Sequence, residues 1–152
     1  MYEDRINRAV ELFKSGYNCS QSVVAAFADL YGFTPEQALK MAASFGGGIG
    51  RMRQTCGAAC GMFLLVGLEN GATEPTDREG KSRNYAAVQE LAAGFKEACG
   101  SLICAELLGL KPAAPVSPEA EPRTPVYYQK RPCAETVRIA ATLFANWKSQ
   151  QS

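Results

Sequence analysis

The chain contains six cysteines and no histidine, and these two counts define the chemistry open to it. Without histidine there can be no Ser-His or Cys-His nucleophile pair, imidazole zinc site, Rieske centre or c-type haem motif. The N-terminus lacks the basic-then-apolar order of a secretory signal, which predicts a cytoplasmic protein. In that reducing compartment we interpret the cysteines as free thiols, metal ligands or redox centres, not as a disulfide scaffold.

Four of the cysteines lie where the sequence predicts the first turn of a helix, and we name them the helix-start cysteines. They are Cys19, Cys56, Cys104 and Cys133. Each follows a residue that favours a helix start, namely Asn18, Thr55, Ser101 and Pro132. A helix start offers unpaired N–H donors and roughly half a positive charge, which stabilise a thiolate and lower the thiol pKa from about 8.5. Since thiolates bind metals and attack disulfides, four such positions together predict one shared site.

A simpler interpretation applies to each cysteine alone. Every helix-start cysteine also lies on the apolar stripe of its own helix, and free cysteine is among the most buried residue types. The intervals between the four are not those of a zinc ribbon or a ferredoxin. Cys60 shares a helix face with Cys56 and is interpreted first as a core residue, then as an auxiliary ligand or resolving thiol. Cys99 lies at a predicted helix C-terminus, where the dipole disfavours a thiolate.

The glycine run at residues 46–50 interrupts the helices just before Cys56. A phosphate-binding loop is excluded because the run lacks the Gly-Lys-Ser/Thr ending and no strand precedes it. We predict that Gly47, Gly48 and Gly50 let the backbone approach the Cys56 helix start closely and direct amides towards sulfur. A plain flexible connector remains an equal alternative on sequence alone.

The elements that must position these cysteines are helical throughout. A length of 152 residues predicts one domain spanning 1–152, and the apolar residues recur at the spacing of helices, without the alternation of strands. We predict an all-α bundle of about six to seven helices. Six of the eight prolines fall in residues 111–132, which predicts a connector without regular structure laid over the surface. The last helix, opening at Pro132, should bury Val137, Ala140, Phe144 and Trp147.

Charge and hydropathy narrow the classes of partner. The formal net charge of +1 gives no broad electrostatic footprint for nucleic acid. The longest apolar stretch, residues 62–68, is far too short to cross a membrane. A redox partner protein is expected, and the sequence specifies neither that partner nor whether the chain forms a homo-oligomer.

Three segments resemble a known family. They are the glycine run with Cys56-Gly57-Ala58-Ala59-Cys60-Gly61, the upstream Asn18-Cys19-Ser20-Gln21, and the downstream Ser101-Leu102-Ile103-Cys104 with Arg131-Pro132-Cys133. Together they are similar to the four-cysteine C_GCAxxG_C_C family of redox-active proteins, over nearly the whole chain. The resemblance implies that the helix-start cysteines are the family's signature cysteines. It also implies a small redox protein suspected of carrying an iron–sulfur or similar prosthetic group.

Three hypotheses about function remain open at this stage. In the first, the helix-start cysteines bind an iron–sulfur cluster or another thiophilic metal centre for electron transfer or redox sensing. In the second, the protein is a thiol-disulfide or peroxide-reducing enzyme with Cys56 as the attacking thiol and a second helix-start cysteine as resolver. In the third, it is an all-α interaction module stabilised by structural zinc. Whether the protein is an enzyme therefore stays undecided.

Overall fold

The structure is a computed structural model that describes residues 1–111 and 114–151. Its regular elements are helices, which confirms the predicted all-α class. The α-helices are α1 (Glu3–Lys14), α2 (Cys19–Ala25), α3 (Pro35–Ala42), α4 (Gly57–Asn70), α5 (Arg78–Cys99), α6 (Cys104–Leu107), α7 (Pro125–Lys130) and α8 (Cys133–Ser149). Short 3₁₀ turns at Ala28–Tyr31 and Ala43–Phe45 follow α2 and α3.

Local capping chemistry sets the starts of α2 and α3. The Asn18 side chain accepts a hydrogen bond from the Gln21 amide, and the Gln21 side chain accepts one from the Asn18 amide, which completes a capping box. Thr34 and Gln37 make the same pair of bonds, and Pro35 occupies the first position of α3. Each box satisfies amides that a helix start would otherwise leave unpaired.

The proline-rich connector contains a helix that the sequence interpretation omitted. The prediction of no regular structure across 111–132 is wrong for Pro125–Lys130, which forms α7. The start signal was present, since the Thr124 side chain accepts a hydrogen bond from the Tyr127 amide and Pro125 takes the first helical position. Residues 112 and 113 of the predicted connector lie outside the described residues.

The short helix α2 occupies the middle of the bundle. It packs against α1, α3, α4 and α8, while α8 also packs against α1, α4 and α5. Phe27 and Phe144 meet edge to face at the centre of the core, with ring centroids 5.0 Å apart. The four residues that the sequence predicted to be buried on α8 are all buried. Because α2 is enclosed on several sides, its first residue, Cys19, is held deep in the fold. None of the described helices is long and apolar enough to cross a membrane.

A buried hydroxyl on α2 gives a stability prediction. Ser20 Oγ is fully buried, and among the described residues it has no hydrogen-bond partner. Ser20→Ala is therefore expected to raise the free energy of unfolding by about 1 kcal/mol, because alanine removes an unsatisfied polar group and favours the helix.

Urea denaturation of the two serine variants checks this expectation. The control is Ser22→Ala, because the equally buried Ser22 hydroxyl donates to the Asn18 carbonyl at 2.8 Å. The control should leave stability unchanged or lower it. A loss of stability in Ser20→Ala would show that the hydroxyl has a partner in solution and would contradict the prediction.

Candidate functional site

All four helix-start cysteines line one cavity. The cavity has a volume of about 430 Å³, and its wall also includes Gly47, Gly50 and residues of the proline-rich connector. Cys56 is 5% exposed, Cys19 and Cys104 are each 8% exposed, and Cys133 is half-buried. The folded chain thus brings four sulfurs to one enclosed space from four separate helix starts.

A short backbone bridge joins the segments that carry Cys56 and Cys104. Thr55 and Ile103 form an isolated antiparallel bridge. Beside it the Cys56 amide donates to the Leu102 carbonyl at 2.7 Å, and the Cys104 amide donates to the Gln54 carbonyl at 2.6 Å. Cys56 itself takes the N-cap position of α4, so the helix begins one residue later than the predicted cap at Thr55 indicated, and Cys104 opens α6.

Cys19 and Cys133 come together across the interface of α2 and α8. Each is the first residue of its helix. The two thiols interact closely enough for each to shift the pKa of the other. The Asn18 side chain, next to Cys19 in sequence, donates to the Ala43 carbonyl at 3.0 Å and ties the α2 start to the segment before the glycine run. Cys19 and Cys133 therefore form an interacting pair within the cavity.

The glycine run forms a left-handed loop around the cavity. Residues 47–51 are consecutive positions with φ between +56° and +74°, and they include the non-glycine residues Ile49 and Arg51; Arg53 is also left-handed at +62°. Such angles cost about 1–3 kcal/mol each for non-glycine residues and persist only where the surroundings impose them. The run is thus a hydrogen-bonded loop with left-handed backbone angles.

The predicted close approach occurs at Gly48. A Cβ placed on Gly48 would lie 2.6 Å from the Cys104 Cβ and 2.7 Å from the Gln54 nitrogen. The backbone therefore passes against the α6 start, and not only against the Cys56 helix start as expected. The amides from Ile49 to Gln54 all donate to backbone carbonyls. The expectation that Gly50 directs its amide towards sulfur is therefore wrong, because that amide donates to the Ser44 carbonyl at 2.7 Å.

The thiol pKa is raised at three of the four helix-start cysteines and lowered at the fourth. Burial raises the pKa of Cys56 to about 12, although amides of Ala58 and Ala59 at the α4 start act in the lowering direction. Burial also raises the pKa of Cys104, against the hydrogen bond from Arg53. Interaction with the Cys133 thiol, together with burial, raises the pKa of Cys19 well above its usual range. The prediction that helix starts lower all four pKa values does not hold for these three: desolvation outweighs the helix-end charge at Cys56 and Cys104, and at Cys19 the interaction with Cys133 adds to it.

Cys133 is the exception to this trend. Interaction with the Cys19 thiol lowers the pKa of Cys133, burial opposes that effect, and the nearby guanidinium groups of Arg131, Arg123 and Arg53 lower it further. Of these, Arg131 lies two residues before Cys133 in the sequence. Arg53 also places its Nη1 3.7 Å from the Cys104 sulfur.

Two charged residues of the cavity wall were missed by the sequence analysis. Glu121 and Arg123 belong to the connector that was expected to lie over the surface. Glu121 accepts from Arg51 at 3.0 Å and from Arg131, and it pairs with Arg53 at 3.6 Å. No local signal could have identified this carboxylate, since its partners are remote in the sequence.

Arg123 fixes the connector to the end of α1. Its guanidinium donates to the carbonyls of Phe13 at 3.1 Å and Tyr17 at 3.0 Å. The same group lies 4.7 Å from the ring centroid of Phe13 and 4.8 Å from that of Tyr127. These contacts bring the connector and α7 over one side of the cavity.

Cys60 and Cys99 do not line the cavity. Cys60 is buried, and its thiol donates to the Thr55 carbonyl at 3.8 Å. Burial raises the pKa of Cys60 to about 11 and also raises that of the half-buried Cys99. Over residues 1–111 and 114–151, no three metal-binding side chains are grouped so as to hold one metal ion. The arrangement therefore provides four cysteine donors around a space, without a preformed single-ion site.

Comparison with known proteins gives one match. A family model described as "Putative redox-active protein (C_GCAxxG_C_C)" matches residues 17–147, which include all four helix-start cysteines and the glycine run. No curated protein and no solved structure matches the chain.

Proposed function

Because this chain belongs to the C_GCAxxG_C_C family of redox-active proteins, we propose that the helix-start cysteines bind an iron–sulfur cluster used for electron transfer or redox sensing. The observation that supports this most is the meeting of all four in one cavity. The set contains only cysteine, which is the usual ligand of iron–sulfur clusters, and the chain has no histidine that could take part.

We favour a cluster over one zinc ion as the occupant of this cavity. Four thiolates on zinc lie at about 2.3 Å from the metal, so their sulfurs must be about 3.8 Å apart in a tetrahedron. No group of three donors in the described residues has such a single-ion arrangement. In a [4Fe–4S] cluster each cysteine binds a different iron atom, so the sulfurs surround a larger space. A cavity of about 430 Å³ between four separate helix starts is consistent with that requirement.

When bound, such a cluster would accept and donate one electron at a time. The residues around it would adjust its reduction potential. Arg53 approaches the Cys104 sulfur, and Arg131 and Arg123 lie near Cys133. Positive charges and hydrogen bonds at the sulfurs stabilise the more negative, reduced form and so raise the reduction potential. The burial of Cys19, Cys56 and Cys104 keeps water from their sulfurs, whereas the half-buried Cys133 marks the side nearest to solvent.

An anaerobic reconstitution tests the proposal. Reduced protein supplied with iron and sulfide should turn brown, absorb between about 320 and 450 nm, and bleach on reduction. Changing any helix-start cysteine to alanine should lower bound iron by about tenfold or more, since even changes around the ligands cost about 10–100-fold.

Matched variants make this test specific. Cys60→Ala and Cys99→Ala remove thiols that do not line the cavity, and both should retain the bound iron of the unaltered protein. Colourless protein after reconstitution, or equal iron loss in all six alanine variants, would contradict the cluster proposal.

Cys19 and Cys133 line the same cavity and shift each other's pKa, and this pairing favours a second candidate function, thiol-disulfide exchange by the metal-free protein. The Cys133 thiolate would attack a disulfide of a partner protein and release one partner thiolate. The Cys19 sulfur, after losing its proton, would then attack Cys133 in the mixed disulfide and release the second partner thiolate. Cys19 and Cys133 finish as a disulfide, and the partner gains two electrons and two protons. The attacking thiol proposed here is Cys133 in place of Cys56, whose pKa is raised by burial.

Mass spectrometry after oxidation by a small disulfide distinguishes the two candidates. Exchange chemistry predicts a reversible Cys19–Cys133 bridge, and Cys56→Ala should form it as readily as the unaltered protein. Exclusive bridges through Cys56, or no bridge at all, would argue against this second function.

A further inference from the structure

Three guanidinium groups at the mouth of the cavity converge on a single carboxylate oxygen. Oε1 of Glu121 lies 3.0 Å from Nη2 of Arg51 and 3.6 Å from Nη2 of Arg53, and it also accepts from Arg131. The three arginine side chains are only 15–22% exposed. Within the described residues these arginines form ion pairs with Glu121 alone, so one negative charge faces three positive charges. Charges withdrawn from water in this way favour the binding of further anions.

The arginine side of this cluster is held more firmly than the carboxylate side. Arg51 and Arg53 belong to the left-handed loop, where their backbone φ values of +61° and +62° are kept by a series of loop hydrogen bonds. Arg131 lies between α7 and α8, two residues before Cys133. The Glu121 side chain is 37% exposed and belongs to an irregular part of the connector. The arginines thus form a preformed anion site, while the partly exposed Glu121 carboxylate that occupies it has room to turn towards solvent.

We propose that this arginine cluster is a binding site for a small oxyanion or carboxylate, and that Glu121 is the chain's own occupant of it. Three guanidinium groups present several N–H donors to one point, which matches the planar and tetrahedral oxygens of such anions. The same wall of the cavity holds the Cys104 sulfur, which Arg53 contacts. An anion that displaces Glu121 would therefore sit beside the thiols. Within the described residues the side-chain hydrogen bonds of Arg51 go to Glu121 and the Ser117 carbonyl, so anion binding through Arg51 can be tested on metal-free protein.

Titration of reduced, metal-free protein with sulfate and with acetate tests the proposal, with chloride at equal ionic strength to account for screening. Because the carboxylate is an intramolecular competitor, Glu121→Gln should bind sulfate at least about tenfold more tightly than the unaltered chain. Adding Arg51→Gln to that variant should weaken sulfate binding by about tenfold or more. Sulfate binding with weak acetate binding identifies an inorganic oxyanion site, and comparable binding of both identifies a site for carboxylates as well.

Two controls keep the result unambiguous. Arg138→Gln changes an exposed arginine of α8 whose ion pair is with Glu135, and it should leave sulfate binding unchanged. Glu121→Ala provides a second way to remove the competitor if Glu121→Gln fails to fold. Sulfate binding that is no tighter without the carboxylate, or that chloride reproduces, would overturn the proposal. Since the titration needs no cluster, its failure would leave the iron–sulfur proposal unaffected.

Discussion

Gly48→Ala is expected to lower the free energy of unfolding by about 3–5 kcal/mol. Two effects add at this position. The backbone has a φ of +74°, which is costly for any residue with a side chain. The new methyl group would also lie 2.6 Å from the Cys104 Cβ and 2.8 Å from the Arg53 Cα, and neither of these atoms is the end of a flexible side chain. Urea denaturation of reduced, metal-free protein measures the loss.

Gly50→Ala separates the two effects. Gly50 also has a positive φ, +56°, but a Cβ there would meet only the Ser44 carbonyl at 3.9 Å. This variant should lose only about 1 kcal/mol, the cost of the left-handed conformation alone. Equal losses in the two variants would show that close approach at Gly48 does not matter, and that the position of Cys104 does not depend on it.

Arg123→Ala is expected to lower the free energy of unfolding by about 2–3 kcal/mol. The change removes two charge-assisted hydrogen bonds to carbonyls near the end of α1 and the stacking of the guanidinium on Phe13 and Tyr127. The connector should also become more mobile in the folded state. Limited digestion by a glutamate-specific protease should then cut at the exposed Glu119 several times faster than in the unaltered chain.

Two variants control for charge in this experiment. Arg123→Lys keeps the charge but cannot reach both carbonyls, so about half of the stability loss is expected. Arg138→Ala removes an exposed arginine and should change stability by less than about 0.5 kcal/mol. If Arg123→Ala and Arg138→Ala behave alike, Arg123 does not anchor the connector.

The parts of the structure that could be predicted are those determined by neighbours in sequence. The capping boxes at Asn18 and Thr34 depend on residues only three positions apart, so their signals are present in the local sequence. The same kind of signal at Thr124 was present, but the density of prolines around it favoured an irregular interpretation. Helix starts and the all-α class were therefore accessible from the sequence, apart from α7.

The pKa values and ion pairs of the site could not be predicted, because they depend on how far each group is buried and on which groups surround it. At Cys56 the predicted amides at the helix start are in place, yet the cost of burying a thiolate exceeds their effect. Glu121 meets Arg51 and Arg131 only after the chain has folded, and neither spacing nor residue type marks that meeting. The sequence could identify the cysteines of the site, whereas the direction of each thiol's pKa shift depends on the residues that surround it in the folded chain.

The position of Cys133 at the start of α8 has a consequence during protein synthesis. The ribosome delivers residues from the N-terminus at about 5–20 per second, so three of the four cysteines are translated before the fourth. The nascent polypeptide therefore carries thiols that no finished pocket yet protects. Under the proposed function, the fourth ligand would join the others only once α8 has been made and has docked on α1, α2 and α4. The proposed cluster would then be completed after translation, in a chain whose helices have already packed together.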